Sequence, residues 1–196
     1  MSKYHVVLLL EAGLKPNPPA KETSLISEGG KDMTGAIDHI IEFEGDTLQN
    51  RYLTFLIGQE VYGIEVKYVT EIVGMQTIME MPEFPHYVKG IMNLRGKIIA
   101  VVDVRLRFKK EPKEYDDRTC IIVVDFKGTS IGLIVDTVSE VITIPEEDVT
   151  DAPQFNKSLQ NKCIRKIGKV GEDIRLLVDC EKLISDEDLI DIMEAM

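Results

Sequence analysis

Tryptophan is absent from this chain of 196 residues, aromatic residues make up only 6%, and there are three cysteines and three histidines. Each scarcity removes a class of function. Cys120, Cys163 and Cys180 show no C-x-x-C spacing, and His5, His39 and His86 stand far from one another and from the cysteines, so no zinc-type ligand set is legible. Cys120 and Cys180 lie in or beside apolar runs, where a thiol behaves as a small hydrophobe, and such usage suits a reducing, cytosolic compartment. Basic residues are also short: 23 Lys and Arg against 34 Asp and Glu leave a net charge of −11. That surface repels phosphate backbones and anionic lipid, and there are few aromatics to stack on bases, so nucleic acid is not an expected partner. The apolar run Val6-Val7-Leu8-Leu9-Leu10 is followed at once by Glu11 and lacks a small-residue cleavage site. No stretch approaches the ~20 apolar residues that span a bilayer, so direct membrane insertion is not expected.

Catalytic signatures are missing as well. Gly168-Lys169-Val170-Gly171 lacks the G-K-[ST] ending of a phosphate loop and reads as a hairpin turn. Nothing in the sequence places Cys163 beside His86, and the acidic pairs Glu146-Glu147 and Asp116-Asp117 stand in polar connections. Asn156-Lys157-Ser158 fits a glycosylation sequon by coincidence in a cytosolic chain. The expectation is a binding protein, not an enzyme, with no metal or cofactor.

What is present is dense β patterning. Residues 11–38 are rich in Pro, Gly, Ser, Thr and Lys and bury too little to offset their ordering entropy, so a flexible arm is expected before a globular part that begins near Gln49. Strands are expected at 52–57, 61–65, 97–103, 119–126, 130–138 and 141–144, and a hairpin at 163–170 and 174–179. Val66, Val69, Ile72 and Val73 recur at helical spacing and predict a short helix or helical turn. Pro82 and Pro85 argue for an ordered connection over 81–90. Ser185, with Asp186, Glu187 and Asp188 behind it, starts a terminal helix with Leu189, Ile190, Ile192 and Met193 on one face.

An internal repeat organises these elements. Gly63-Ile64-Glu65-Val66 and Val69-Thr70-Glu71-Ile72 align with Gly132-Leu133-Ile134-Val135 and Val138-Ser139-Glu140-Val141 at a constant offset of 69. Each half closes on Val-Asp, at Val102-Asp103 and Val178-Asp179. A unit of this length suits a small barrel and is too long for a solenoid repeat, so two related barrels are expected. Within the first, Gly90 and Gly96 permit tight backbone around Asn93-Leu94-Arg95, which would display Arg95 on a rigid turn. Such a guanidinium suits a partner; an ordinary surface arginine explains the residue equally well.

These residues resemble the CheW family, adaptors that couple chemoreceptors to the histidine kinase CheA. The resemblance rests on Tyr62-Gly63-Ile64-Glu65-Val66, Val69-Thr70-Glu71-Ile72, Val88-Lys89-Gly90-Ile91-Met92-Asn93-Leu94-Arg95-Gly96, Val102-Asp103-Val104-Arg105, Ile131-Gly132-Leu133-Ile134-Val135-Asp136, Ala152-Pro153 and Leu177-Val178-Asp179. It implies an all-β fold of two intertwined SH3-like barrels of five strands: a flexible arm over 1–48, then a CheW-like domain over 49–196, with barrels at about 52–118 and 119–184 and a helix over 185–196. The implied partners are the regulatory domain of CheA and the cytoplasmic tip of methyl-accepting chemoreceptors, at receptor arrays on the inner face of the membrane. Carried over by position, Arg95 and Glu71 flank the receptor site, with Val69, Asn93, Leu94 and Val135 nearby, and Glu71 is expected to pair with Arg95. Apolar residues Ile78, Met79 and Met81 are candidates for the kinase side, and core packing accounts for them about as well. An adaptor of a twitching or developmental array would fit the same residues.

Overall fold

Alternation of apolar residues dominates the chain after residue 50, and in the computed structural model strands are the main element; the structure describes residues 48–81, 84–126, 128–153 and 163–183. The strands are β1 (Arg51–Ile57), β2 (Glu60–Glu65), β3 (Val69–Gly74), β4 (Val88–Leu94), β5 (Lys97–Asp103), β6 (Cys120–Phe126), β7 (Thr129–Val135), β8 (Thr137–Thr143), β9 (Val149–Asp151), β10 (Ile164–Val170) and β11 (Asp173–Val178). Two short helices, α1 (Val104–Arg107) and α2 (Cys180–Leu183), follow β5 and β11. The expected arm and terminal helix lie outside the described residues.

The strands form two sheets, ordered β8-β1-β2-β11-β10-β9 and β3-β6-β7-β5-β4. Matched through the sequence repeat, the two orders are the same: β8, β1, β2, β11 and β10 stand where β3, β6, β7, β5 and β4 stand. Each sheet therefore takes strands from both halves of the chain, and residue 118 marks the repeat without separating the sheets. This exchange is the intertwining of the two SH3-like subdomains. Each contains one parallel pair, β2 with β11 and β5 with β7, among antiparallel neighbours. Gly63 and Gly132, equivalent in the repeat, sit at these seams, where an added Cβ would come within 2.9 Å of Leu177 and 2.8 Å of Ile121. The shared glycine thus marks a close approach at the equivalent place in each barrel.

Period-2 alternation sends successive residues to different cores. In β6, Ile122 and Val124 enter a cluster between the sheets, with Leu53, Phe55, Tyr62, Ile64, Leu133 and Val135. Ile121 and Val123 enter the interior of the barrel built on the five-stranded sheet, here the second barrel (the six-stranded sheet makes the first), with Met92, Ile99, Val101 and Ile134. Tyr52, Ile144 and Leu177 fill the first barrel. Cys163 and Cys180 are buried in the shared cluster, and burial, then the Asp179 carboxylate, pushes the Cys180 thiol up to about 12. Both act as small hydrophobes.

The helical spacing over 66–73 is a correction. Only Val66–Tyr68 form a helical turn, and Val69–Gly74 are strand. A bulge between Val69 and Glu71 explains the misleading period. It shifts the side-chain parity, so Val69 and Ile72 pack on the shared core while Val73 packs inside the second barrel. Residues 130–138 also divide: β7 ends at Val135 and β8 begins at Thr137 in the other sheet. Strand β4 lies in the segment expected to be a connection and turn.

Gly90 has no room for a side chain: its φ is +130°, and a Cβ would fall 2.0 Å from the Met79 carbonyl oxygen. Gly90→Ala is expected to lower unfolding stability by roughly 2–4 kcal/mol. Gly74→Ala, with open space around it, should stay within about 0.5 kcal/mol of the parent in the same denaturant titration.

Candidate functional site

Strands β4 and β5 are joined by a two-residue turn, Arg95-Gly96, with Leu94 paired to Lys97. Both turn residues have positive φ, 54° and 87°, the hand that matches the twist of a hairpin. Glycine adopts this freely, whereas an L-residue such as arginine does so at a cost of about 1 kcal/mol. The side chain of Asn93 holds the turn, its Oδ1 accepting the Gly96 N–H at 2.8 Å. Arg95 therefore projects from a fixed tip.

Its partner comes from the far edge of the same sheet. Strands β3 and β4 are the two ends of the five-stranded order, and the curl of the barrel brings Arg95 Nη2 to 3.0 Å from Glu71 Oε2. Glu71 shares the strand face of Val73, and Leu94 packs on the same barrel interior, so the pair sits at the rim of that core. The Glu71 side chain is 21% exposed and that of Arg95 71%. A half-sheltered carboxylate thus steadies a cation that remains open to a partner. An exposed pair of this kind contributes only ~0–1 kcal/mol to stability.

The opposite face of the hairpin carries a strip of apolar surface. Met79 pairs with Ile91 through two backbone hydrogen bonds of 2.8 and 2.9 Å, and Asn93 pairs with Ile98, so all four share one face. Met79 is 66% exposed and Ile98 46%. Ile78 turns inward onto the barrel interior, and Met81 is half-buried. The three candidates of this connection therefore divide into an anchor, an exposed side chain and an intermediate one.

Two other positions require correction. Val69 and Val135 belong to the core between the sheets, at 4% and 1% exposure. At that depth their side chains present no contact surface. Glu71, Asn93, Leu94 and Arg95 are the sequence-predicted residues that the fold brings together.

The second half of the repeat lacks this site. The β10–β11 hairpin, equivalent to β4–β5, turns through Gly171-Glu172, with Val170 paired to Asp173. Its tip keeps an exposed isoleucine, Ile174, at the position of Ile98. No arginine stands in the turn. A groove of about 560 Å³, lined among others by Tyr52, Glu65, Tyr68, Arg165 and Asp179, contains none of the predicted site residues.

A family model described as the CheW-like domain matches residues 51–188. The chain belongs to the CheW-like family. It is 35% identical over 150 residues to the "Chemotaxis protein CheW" of Klebsiella aerogenes, covering 76% of this chain and 90% of that relative. The namesake protein of Treponema pallidum is 31% identical, covering 72% of this chain and 85% of the relative. Among solved structures, the scaffolding protein TtCheW from Thermoanaerobacter tengcongensis matches with a TM-score of 0.66 at 31% identity, covering 71% of this chain and 94% of that one.

A further polar cluster of this CheW-like domain lies where α1 meets the end of β7. Arg105, in α1, pairs with Asp136, the residue at which the chain crosses from β7 to β8. Asp136 also accepts the Gly58 N–H at 2.7 Å, and Arg105 donates to the Glu111 carbonyl at 3.2 Å. Nearby, Asp103 accepts from the Leu106 N–H at the start of α1 and from the Tyr115 hydroxyl, tying down the loop between the repeats. The space enclosed here is about 10 Å³, room for a water at most. The only sequence signal was the motif context of the two residues.

Burial alone would raise the Asp136 pKa, but the Arg105 guanidinium and the Gly58 N–H outweigh it and hold the carboxyl below its ordinary 3.8. The stability this supplies is complete above the unfolded value and is lost as pH falls through the folded one. Asp136→Asn should cost about 1–3 kcal/mol at pH 7, because it leaves a half-buried guanidinium without its anion. In denaturant titrations the gap from the parent should close as the pH drops below 3.8; a gap unchanged down to strong acid would refute the charge assignment.

Proposed function

We propose that the protein is a chemotaxis adaptor that couples methyl-accepting chemoreceptors to the histidine kinase CheA through protein–protein binding, with no chemistry of its own. One observation carries this reading: Arg95 is held on a two-residue turn and steadied by Glu71 from the opposite sheet edge, a geometry built to present a cation. Membership of the CheW-like family supports it, as do the names of relatives and a structural neighbour described as a scaffolding protein.

In this reading the receptor tip, a helical hairpin, meets Arg95 and Glu71 beside Asn93 and Leu94, with Val69 and Val135 supporting from the core. A helix laid on such a surface needs a few oriented polar groups for register and apolar contacts for affinity. The regulatory domain of CheA meets the apolar strip around Met79, with Ile78 and Met81 holding its backbone course. Methionine suits that task because its flexible thioether adapts to a partner surface. Among the described residues no helix is long and apolar enough to cross a membrane. The proposed location is the cytoplasm, at receptor arrays on the inner face of the membrane.

The test is titration of the full chain with the CheA regulatory domain and, separately, with a receptor-tip fragment. Arg95→Ala should weaken receptor binding at least about tenfold while leaving kinase binding within about twofold. Its melting temperature should fall by no more than about 4 °C, as for an exposed pair. Met79→Glu should do the reverse, weakening the kinase and sparing the receptor. Binding of neither partner by the parent protein would overturn the proposal, and a large loss of melting temperature in Arg95→Ala would make that residue structural.

A further inference from the structure

The receptor-binding reading leaves open what each polar residue of the turn does, and the geometry separates Asn93 from Arg95. The Asn93 side chain is turned along the hairpin, its Oδ1 bonded at 2.8 Å to the N–H of Gly96, the second turn residue. That bond spans Arg95. It ties together both flanks of a backbone in which Arg95 stands at φ 54° and Gly96 at φ 87°. Arg95 is a residue that pays for this conformation, so an alternative turn is accessible whenever the tether is lost. A rearranged turn would carry the guanidinium away from Glu71, whose position is fixed separately by the pairing of β3 with β6.

We infer that Asn93 is a positioning residue: it acts on the partner through Arg95, by locking the left-handed turn that keeps the guanidinium against Glu71. This deepens the proposed receptor site and rests on it. The required chemistry is an acceptor at position 93 with a side chain of one carbon before the carbonyl, which asparagine and aspartate share and alanine lacks. Leu94 has a different part, packing on the barrel interior.

Two measurements test this on the full chain. In the first, a double-mutant cycle, Asn93→Ala should weaken binding of a receptor-tip fragment roughly three- to tenfold, the worth of one hydrogen bond. Asn93→Asp should restore binding to within about twofold, and Asn93→Ala made on top of Arg95→Ala should add nothing. Equal losses with and without Arg95 would show that Asn93 touches the partner itself and would overturn the inference. The second measurement needs no partner. Amide hydrogen exchange at Gly96 should quicken in Asn93→Ala and keep its parental rate in Asn93→Asp; an unchanged rate in Asn93→Ala would also overturn the inference. Should the parent chain bind no receptor tip, the proposed function fails, and Gly96 exchange still decides the role of Asn93.

Discussion

The two parallel strand pairings, β2 with β11 and β5 with β7, are the constraint on which the rest of the structure depends. A strand pair from one half of the chain adds, at each seam, to strands from the other half. Neither barrel can close without both repeats, so the barrels fold as one body around the core that lies between them. Parallel neighbours cannot be linked by a tight turn, and the connections must run elsewhere. The chain crosses between the sheets by short links at β2 to β3 and at β7 to β8, and at the second of these Asp136 is anchored by Arg105 and Gly58. Helix α1 and the loop after it are thereby drawn onto the seam.

Duplication explains the architecture, and departure from it explains the site. The two hairpins β4–β5 and β10–β11 occupy equivalent places, with an exposed isoleucine at each tip. Only the first carries arginine in its turn and asparagine to tether that turn; the glutamate across the rim, Glu71, has a repeat counterpart in Glu140 on β8, with no turn arginine to receive. The polar groups fall where the barrel's two edge strands meet, which is where backbone is free of ladder partners and side chains can be shared between elements. The exposed Met79 lies on the adjacent edge, its backbone paired to Ile91. Two kinds of surface, one charged and one apolar, thus flank a single hairpin.

Much of this was legible before the structure. Alternation located β1, β2, β5, β6, β10 and β11 closely, because each alternates between two apolar cores or between core and solvent. The repeat predicted paired barrels, and its shared glycine turned out to be the close approach at each seam. The Glu71–Arg95 pair was expected and is formed. What failed did so for identifiable reasons. A bulge in β3 turned a strand pattern into apparent helical spacing, and the same bulge puts Val69 and Glu71 on opposite faces. Val69 and Val135 lie buried in the core between the sheets, since a place in a motif does not report burial. The parity of a strand is set by its bulges, and these are invisible to composition.

The most direct test of the central claim is chemical-shift mapping on the isotope-labelled full chain as a receptor-tip hairpin is added. The account predicts perturbations centred on Glu71, Asn93, Arg95 and Gly96, with the equivalent tip around Gly171 and Ile174 unmoved. Perturbations confined to the second hairpin, with Arg95 and Glu71 unshifted at saturation, would contradict it.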